Sequence, residues 1–357
     1  MLKSFRYLLL PLSFLYSIVL WVRNKVYDKN WAKSSNFNFP IICVGNLAVG
    51  GTGKTPMVEY LLRLLKSDYT VATLSRGYKR KTIGFGIAND STTALDIGDE
   101  PMQFHLKFPD VIVSVGEERL VAIPQLLHDR PATEVIILDD AFQHRQVKAG
   151  LNILLTEHAN LYTRDFLLPA GDLRDIKQSA DRAEIIIITK CKHTLNEEEK
   201  RLIIKELKLK EKQQVFFTKI LYANPYHLFT KEIIDITNSS DVLLVCGIAN
   251  PKPLKDFLTA HVHTYDMLKY PDHHIFNIDD LLEIKKQFEK LQSENKIILT
   301  TEKDGVRLTK FENELKDFPL YVIPIEHAFM FNEKEKFNKA IMDFITLYKL
   351  RNRGIID

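Results

Sequence analysis

Short apolar runs alternate with amphipathic segments along most of this chain. Runs of this length, rich in β-branched residues, are typical of strands buried on both faces of a sheet. The predicted strands are 41–44, 69–74, 111–115, 135–138, 151–155, 184–189, 242–246, 262–268, 297–301 and 320–325. Helices are predicted from 54, at 97–106, 117–127 and 196–212, from 306, and at 332–350. The alternation predicts an α/β fold, with a mostly parallel sheet flanked by helices.

The length of the chain points to more than one structural unit. At 357 residues it exceeds a typical single domain. We predict an apolar N-terminal helix at 1–30, a larger α/β core at 31–214 and a smaller C-terminal α/β lobe at 215–357.

A glycine-rich turn joins the first predicted strand of the core to its first helix. The stretch 41–57 reads IICVGNLAVGGTGKTPM, the pattern of a phosphate-binding loop (P-loop). Lys54 is predicted to reach the outer phosphates of a nucleotide, and the Thr55 hydroxyl to bind Mg²⁺. Ala48 stands where the usual spacing has glycine, so an ordinary strand-to-helix turn is the alternative. The candidate nucleotide-binding residues are Ala48, Val49, Gly50, Gly51, Thr52, Gly53, Lys54 and Thr55.

Two carboxylates follow the predicted buried strand at 135–138. In P-loop enzymes, an acidic residue at the end of such a strand holds Mg²⁺. An acidic turn is the alternative, but it loses force because a P-loop already requires a metal partner. We therefore predict that Asp139 and Asp140 complete a magnesium site with Thr55.

Two further polar stretches permit both a structural and a chemical interpretation. The run RGYKRK at 76–81 is either a solvated loop or an anion site for a phosphorylated substrate beside the P-loop. Asp99 and Glu100 open a predicted helix, and capping of that helix by Asp99 is sufficient to explain the pair. The loop at 164–174 is too structured in composition to be a mere linker.

The C-terminal lobe carries two adjacent histidines on a predicted loop, His273 and His274, with His261 and His263 upstream. No cysteine or further histidine completes a set at zinc-like spacing. Asp272 beside His273 instead suits an oriented acid/base pair.

Composition narrows the class of protein. A hydrophobic content of 45% supports a substantial core, and the small formal net charge of +3 does not indicate a nucleic-acid-binding surface. Cys43, Cys191 and Cys246 lie far apart without metal-type spacing. We interpret them as reduced thiols, and a cytosolic setting follows for the core.

The N-terminus is apolar over 7–22 and is flanked by the basic residues Arg6, Arg23 and Lys25. The run falls short of the roughly 20 residues of a comfortable membrane span, and Pro11 interrupts it. A signal peptide, a core helix and a membrane-associated anchor are the three interpretations. No small-residue cleavage pattern follows, and a P-loop needs cytosolic nucleotide, so we favour the anchor and keep the core helix as the alternative.

The ordered set of motifs resembles one enzyme family. GNLAVGGTGKTP, SRGYKRK, GDEP, LDDAFQHR, LLPAGDLRD, DHH and TTEKD occur in this order. Together they resemble the tetraacyldisaccharide 4'-kinases of lipid A biosynthesis, from the N-terminal anchor to at least Asp304. The resemblance implies a P-loop fold and phosphorylation of the 4'-hydroxyl of a tetraacylated glucosamine disaccharide 1-phosphate by ATP and Mg²⁺. It also implies a lipid substrate and a location at the cytosolic face of the bacterial inner membrane. We expect no nucleic-acid partner, and no obligate protein partner is evident from the sequence.

The same resemblance implies roles for individual residues. Lys54 and Thr55 would contact phosphates and metal, and Asp139 with Asp140 would bind metal and water. Asp99 would lie near the attacking hydroxyl as the base, supported by His273. The candidate substrate contacts are Asn46, Arg76, Arg80, Gln143, His144 and Arg174.

Two other functions compete with the kinase. A membrane-tethered P-loop nucleotide hydrolase or switch is the first, and a nucleotide-binding scaffold without activity is the second. After Asp139 the chain reads Asp-Ala-Phe instead of the D-x-x-G of a GTPase switch, and it has no N-K-x-D motif. The sequence therefore favours the kinase.

Overall fold

The computed structural model describes residues 6–236 and 240–352. The strands are β1 (Ser35–Asn36), β2 (Ile41–Asn46), β3 (Val71–Ser75), β4 (Gly86–Ile87), β5 (Ile112–Val115), β6 (Val135–Asp139), β7 (Val147–Lys148), β8 (Leu151–Glu157), β9 (Ile185–Thr189), β10 (Gln214–Tyr222), β11 (Tyr226–His227), β12 (Asp241–Cys246), β13 (Thr264–Lys269), β14 (Lys296–Thr301), β15 (Leu320–Ile323) and β16 (Ile325–Phe329). The α-helices are α1 (Leu10–Asp28), α2 (Lys54–Leu65), α3 (Ala94–Ile97), α4 (Asp99–Lys107), α5 (Arg119–Asp129), α6 (Glu197–Leu207), α7 (Lys252–His261), α8 (Ile278–Lys290), α9 (Glu302–Leu308), α10 (Glu312–Leu315) and α11 (Lys334–Asn352). Short 3-10 helices occur at Tyr7–Leu9, Lys177–Arg182 and Thr309–Phe311.

The larger sheet has the strand order β16-β10-β9-β8-β2-β6-β3-β5-β4. Strands β10 to β5 in this order run parallel, and β16 and β4 close the two edges antiparallel. Every residue of β2, β3, β6 and β9 is buried, as expected for strands covered by helices on both faces. The predicted α/β architecture with a mostly parallel sheet is confirmed.

The carboxyl ends of the parallel strands lie along one edge of this sheet. Strand β2 is central and pairs with β6 on one side and β8 on the other, with Val44 beside Asp139 and Ile153. The loop after β2 and the carboxylates after β6 are therefore neighbours. Ligands of open α/β sheets bind in the crevice at this edge.

A smaller sheet of strand order β11-β15-β14-β12-β13 carries the second hydrophobic core. The chain then returns to the larger sheet, where β16 pairs with β10 and α11 buries Phe337, Ile341 and Ile345 against the P-loop side of the core. Segment 215–357 therefore contributes to both sheets, and the domain boundary near residue 215 stays a prediction.

Two departures from the predicted pattern involve strands longer than two residues. The predicted strand 320–325 is divided into β15 and β16 at Pro324, because proline has no N–H to donate to a ladder. The second piece then joins the other sheet. Strand β10 has no counterpart among the predicted strands.

Helix α1 lies on the surface of the core. Tyr7–Asp28 is long and apolar enough to cross a membrane by length and composition, and only 17% of its most apolar window is buried. Within α1 itself the buried residues are Ser13, Leu20 and Asn24, so the core-helix alternative is wrong. Residues 1–5 of the predicted N-terminal segment lie outside the described residues.

Candidate active site

The P-loop connects β2 to α2 through two glycines in the left-handed region. Gly50 has a φ of +104° and Gly53 a φ of +89°, which a side chain would strain. A Cβ on Gly53 would also lie 3.0 Å from the ring of His327. Lys54 is the first residue of α2, so the helix N-terminus faces the loop as the sequence predicts.

The loop at 167–174 supports the first half of the P-loop through backbone hydrogen bonds. Arg174 N–H donates to Leu47 O at 2.7 Å, and Val49 N–H donates to Asp172 O at 2.8 Å. Ala48 forms a β-bridge with Leu173 between these two bonds. Ala48, which stands where the common P-loop spacing has glycine, is therefore held between two backbone hydrogen bonds.

Asn46 ties three of the candidate substrate residues together at the end of β2. Its buried amide donates to Thr52 Oγ1 at 2.9 Å, and its Oδ1 accepts from Arg174 Nη2 at 2.5 Å. Gln143 Nε2 donates to the Asn46 carbonyl at 2.8 Å. The structure brings Asn46, Gln143 and Arg174 together, and their contacts hold the P-loop in place.

Asp140 is the partner of two cations. Lys54 Nζ lies 3.6 Å from its Oδ1, and Arg174 donates to both carboxylate oxygens. Burial raises the pKa of Asp140, but Lys54 and Arg174 outweigh this and lower it below its ordinary value. Asp140 is therefore ionised and shares its charge between the two cations.

Asp139 is in the opposite situation. Ser75 Oγ lies 3.4 Å from its Oδ2, while Oδ1 is buried and has no hydrogen-bond partner in the described part of the chain. Burial and the neighbouring charge of Asp140 raise the pKa of Asp139 to about 7. An unpaired buried carboxylate oxygen is costly unless something else satisfies it.

The surroundings of Asp139 fit a Mg²⁺ ion. Mg²⁺ in phosphate-transfer sites takes one or two protein oxygens and completes its shell with substrate phosphates and waters. The Asp139 oxygen without a partner and the hydroxyl of Thr55, on the first turn of α2, would supply such ligands. Groups of three or more His, Cys, Asp or Glu side chains suited to a metal are absent from residues 6–236 and 240–352, as this mode of binding allows.

Two arginines, Arg119 and Arg76, add positive charge near Asp139 and Asp140. Arg119 is 2% exposed, and its Nε and Nη2 have no partner among the described residues. Burial, opposed by the charge of Asp139, lowers the pKa of Arg119 to about 10. Burial together with Arg119 and Arg76 lowers the pKa of His144 to about 4, so His144 is neutral at physiological pH. Arg76 is exposed at the end of β3 and leaves its charge available to a ligand.

Asp99 and His273 meet across the two sheets, as the predicted base pair requires. His273 Nδ1 lies 3.0 Å from Asp99 Oδ2. Gly98 is the N-cap of α4, and Asp99 is the first helical residue without a capping hydrogen bond, so capping does not explain Asp99. Asp272 Oδ2 lies 3.9 Å from His273 Nε2, within ion-pair distance but beyond hydrogen-bond distance, and Asp272 Oδ1 accepts from Lys303 Nζ at 2.8 Å. The Asp272–His273 acid/base pair therefore stays a prediction.

The start of α4 lies near Asp139. Glu100, which follows Asp99, is close enough for its charge to raise the pKa of Asp139. The Tyr78 ring lies edge-on to His273 at 5.9 Å. Asp99, the residue before Glu100, therefore lies at the end of α4 that is nearest to Asp139.

Arg80, one of the candidate substrate residues, has its guanidinium occupied by partners within the protein. Its guanidinium pairs with Glu117 and donates to Gly84 O, and its side chain is 3% exposed. It closes the loop after β3 against the end of β5. Its predicted contact with substrate stays a prediction.

Four residues of the site had no predicted role. Arg307 donates to Asp99 through Nε at 2.9 Å, and also through Nη2. Thr189 and His327 form hydrogen bonds with two backbone carbonyls of the P-loop, Thr52 O and Gly53 O. Glu302 joins Lys107 and Glu59 in a buried ionic cluster between α9, α4 and α2. The TTEKD motif marked Glu302, but the other three lack a local signal.

Comparisons with known proteins agree with this geometry. The family model described as LpxK, tetraacyldisaccharide-1-P 4'-kinase, matches residues 5–346. A tetraacyldisaccharide 4'-kinase from Bacteroides thetaiotaomicron is 44% identical over 352 residues, covering 94% of this chain and 92% of that protein. One from Flavobacterium johnsoniae is 44% identical over 345 residues, covering 95% and 97%.

A solved structure gives the same result. The crystal structure of the "apo" form of LpxK from Aquifex aeolicus in complex with ATP superposes with a TM-score of 0.75 at 29% identity, covering 97% of this chain and all of that one. With the P-loop, the paired carboxylates and the length of these matches, the chain belongs to the LpxK family of tetraacyldisaccharide-1-P 4'-kinases.

Proposed function

We propose that this protein transfers the γ-phosphate of ATP to the 4'-hydroxyl of a tetraacylated glucosamine disaccharide 1-phosphate at the cytoplasmic face of the inner membrane. The observation that carries the proposal is the pairing of Lys54 with Asp140 at the end of β6, beside an Asp139 oxygen that has no partner in the described residues. Phosphoryl transfer depends on positioning and charge neutralisation, for which this arrangement supplies the groups.

Each end of the transferred phosphate has candidate residues. Lys54 would pass from Asp140 to the outer phosphates of ATP, and Arg174 would keep Asp140 in place. Thr55 and Asp139 would hold Mg²⁺, with Asp140 beside them. When bound, this ion neutralises charge on the phosphates. Arg76 and Arg119 would add positive charge beside the two carboxylates.

The acceptor hydroxyl needs a base. Asp99 is ionised and faces His273 at 3.0 Å, so it can accept the hydroxyl proton while His273 orients it. Burial raises the pKa of Asp99, but the hydrogen bonds and charges of Arg307 and His273 outweigh it and give a net lowering. A weak base is compatible with a loose transition state, in which the proton leaves late.

The N-terminal helix would bring this site to its lipid substrate. Tyr16 OH donates to Arg174 O at 3.2 Å, and Arg23 Nη2 donates to Gln143 O at 2.7 Å. The exposed apolar face of the N-terminal helix includes Leu8, Phe14 and Val19, which are each more than 60% exposed. The acyl chains can remain in the bilayer while the sugar reaches the crevice.

Single-turnover transfer from labelled ATP to the tetraacyl disaccharide 1-phosphate in mixed micelles tests the proposal. We expect the full-length protein to phosphorylate the lipid and Lys54→Ala to lose transfer by at least about a thousandfold. Lys66→Ala, at the far end of α2, is the matched control. Hydrolysis without transfer would identify a hydrolase or switch, and binding without turnover a scaffold; either result overturns the proposal.

A further inference from the structure

Two consecutive carbonyls of the P-loop accept hydrogen bonds from side chains of β9 and β16. Thr189 Oγ1, at the end of β9, donates to Thr52 O at 2.9 Å. His327 Nε2, on β16, lies 2.8 Å from Gly53 O. Gly53 O also accepts from Met57 N–H at 3.2 Å, the first helical bond of α2. Thr189 is fully buried and His327 is 5% exposed.

The partners of His327 fix its tautomer. Because Gly53 O can only accept, Nε2 must carry the proton and donate it. Nδ1 lies 2.9 Å from Thr218 Oγ1 and therefore accepts the hydroxyl proton of Thr218 in the neutral ring. Burial, together with the positive charges of Lys190 and Arg63, lowers the pKa of His327 to about 4, which keeps the ring neutral. A single orientation of the imidazole satisfies both neighbours.

The orientation of the two carbonyls determines where the following N–H groups point. In a trans peptide the C=O and the next N–H point in opposite directions. Because Thr189 and His327 hold Thr52 O and Gly53 O, the N–H groups of Gly53 and Lys54 point away from these two side chains. These are the groups with which a P-loop binds phosphate.

We propose that His327 and Thr189 are positioning residues that preset the P-loop backbone for ATP, so that the antiparallel return strand β16 contributes to nucleotide affinity. A flexible glycine loop loses backbone entropy when it closes on a phosphate. The two hydrogen bonds remove that cost before ATP arrives. Gly53 completes the arrangement, since a Cβ there would press on the His327 ring at 3.0 Å. The inference rests on the proposed function only in taking ATP as the ligand.

The chain offers a matched control in His227. This histidine is 7% exposed and lies on β11 of the smaller sheet. Its Nε2 lies 2.9 Å from Phe318 O, and its Nδ1 accepts from Thr230 N–H at 3.1 Å. His227→Leu therefore removes the same kind of buried, doubly bonded imidazole without touching the P-loop.

Titration calorimetry of the full chain with AMP-PNP and Mg²⁺, without lipid, measures the effect directly. We expect His327→Leu to raise the Kd for AMP-PNP by about tenfold, the equivalent of one hydrogen bond of about 1.4 kcal/mol. His327→Gln keeps a donor and an acceptor and should stay within about threefold of the wild type. Thr189→Val should raise Kd severalfold. The KM for ATP should follow Kd, with the KM for lipid unchanged.

His227→Leu should lower the melting temperature as much as His327→Leu but leave Kd unchanged. An unchanged Kd in His327→Leu, or an equal rise in His227→Leu, overturns the inference. If His327→Leu does not fold, an unchanged Kd in Thr189→Val overturns it. Lipid phosphorylation by the wild type is measured separately. A failure of the proposed kinase function is therefore distinguishable from a failure of the positioning role of His327 and Thr189.

Discussion

Arg307 donates hydrogen bonds to both carboxylate oxygens of Asp99, with Nε 2.9 Å from Oδ1. The same guanidinium donates to His274 O at 3.2 Å, so it connects the start of α4 to the loop that carries His273. A paired arginine keeps a carboxylate ionised but also weakens it as a base. Arg307 therefore sets both the position and the basicity of the proposed base.

Removing this arginine should change the pH dependence of catalysis. In Arg307→Gln the pKa of Asp99 loses its main lowering contribution, so protonation should disable the base at a higher pH. We expect the acid limb of kcat, measured at saturating Mg²⁺ and ATP, to move upward by about one pH unit or more. An acid limb at the wild-type position would show that Asp99 is not the group that titrates.

Arg307→Lys is the matched control for this experiment. It keeps a positive charge but cannot donate to both oxygens in a fixed plane. Its acid limb should lie between those of the wild type and Arg307→Gln, while kcat at high pH falls. The melting temperatures of the two variants separate this effect from loss of the fold.

Magnesium binding should depend on pH through Asp139. The pKa of this carboxyl is raised to about 7, so a proton competes with the metal below neutrality. We expect the apparent Mg²⁺ affinity of the AMP-PNP complex to fall about tenfold between about pH 8 and about pH 6. Calorimetry in two buffers of different ionisation enthalpy should also detect the released proton. Asp139→Asn should bind Mg²⁺ weakly at both pH values, and equally steep pH dependence in that variant would exclude Asp139.

The local parts of the fold and site could be predicted from sequence, and the family and fold class are confirmed. Buried strands such as β2 and β6 are marked by their apolar runs, and the P-loop by adjacent residues. The missed contacts are between residues distant in sequence. Arg307 and Asp99 are 208 residues apart, and His327 and Gly53 are 274 apart. The residue roles at the site stay predictions.

The reason is topological. Pro324 ends β15, and β16 crosses to the edge of the other sheet, where it pairs with β10. The apolar pattern of residues 320–325 does not indicate that the chain which follows, β16, reaches the P-loop. This crossing brings His327 to the P-loop, and the packing of α9 on α4 brings Arg307 to Asp99. The local sequence indicates neither arrangement.

The buried cluster of Lys107 with Glu59 and Glu302 should make stability depend on pH. Burial and the charge of Glu59 raise the pKa of Glu302 to about 7, while Lys107 opposes them. The folded state thus binds this proton more tightly than the unfolded state, in which Glu302 has its ordinary pKa of about 4.5. The free energy of unfolding should therefore fall as the pH rises from about 4.5 to about 7.

Glu302→Gln removes this titration and leaves Lys107 paired with Glu59 at 2.6 Å. The free energy of unfolding of the wild type should fall between about pH 5 and about pH 8. We expect this fall to be smaller in Glu302→Gln by roughly 1–3 kcal/mol. Urea unfolding at the two pH values measures the difference. Glu289→Gln, at an exposed position on α8, should behave as the wild type. Parallel pH profiles for Glu302→Gln and the wild type would contradict the assignment.

Membrane association should depend on the outward face of α1 and not on its contacts with the core. Leu15 and Val19 are 59% and 63% exposed, while Ser13, Tyr16 and Arg23 hold the helix to the loops around the site. Replacing both apolar residues in Leu15→Glu/Val19→Glu removes about 1.5 kcal/mol of burial each, so partition into phosphatidylglycerol-containing vesicles should fall about 100-fold. The Kd for AMP-PNP should not change, because the core-facing contacts remain. Leu202→Glu, at a 62% exposed leucine on α6, is the matched control and should sediment with vesicles as the wild type does. Equal sedimentation of the double variant and the wild type would show that α1 does not provide the membrane contact.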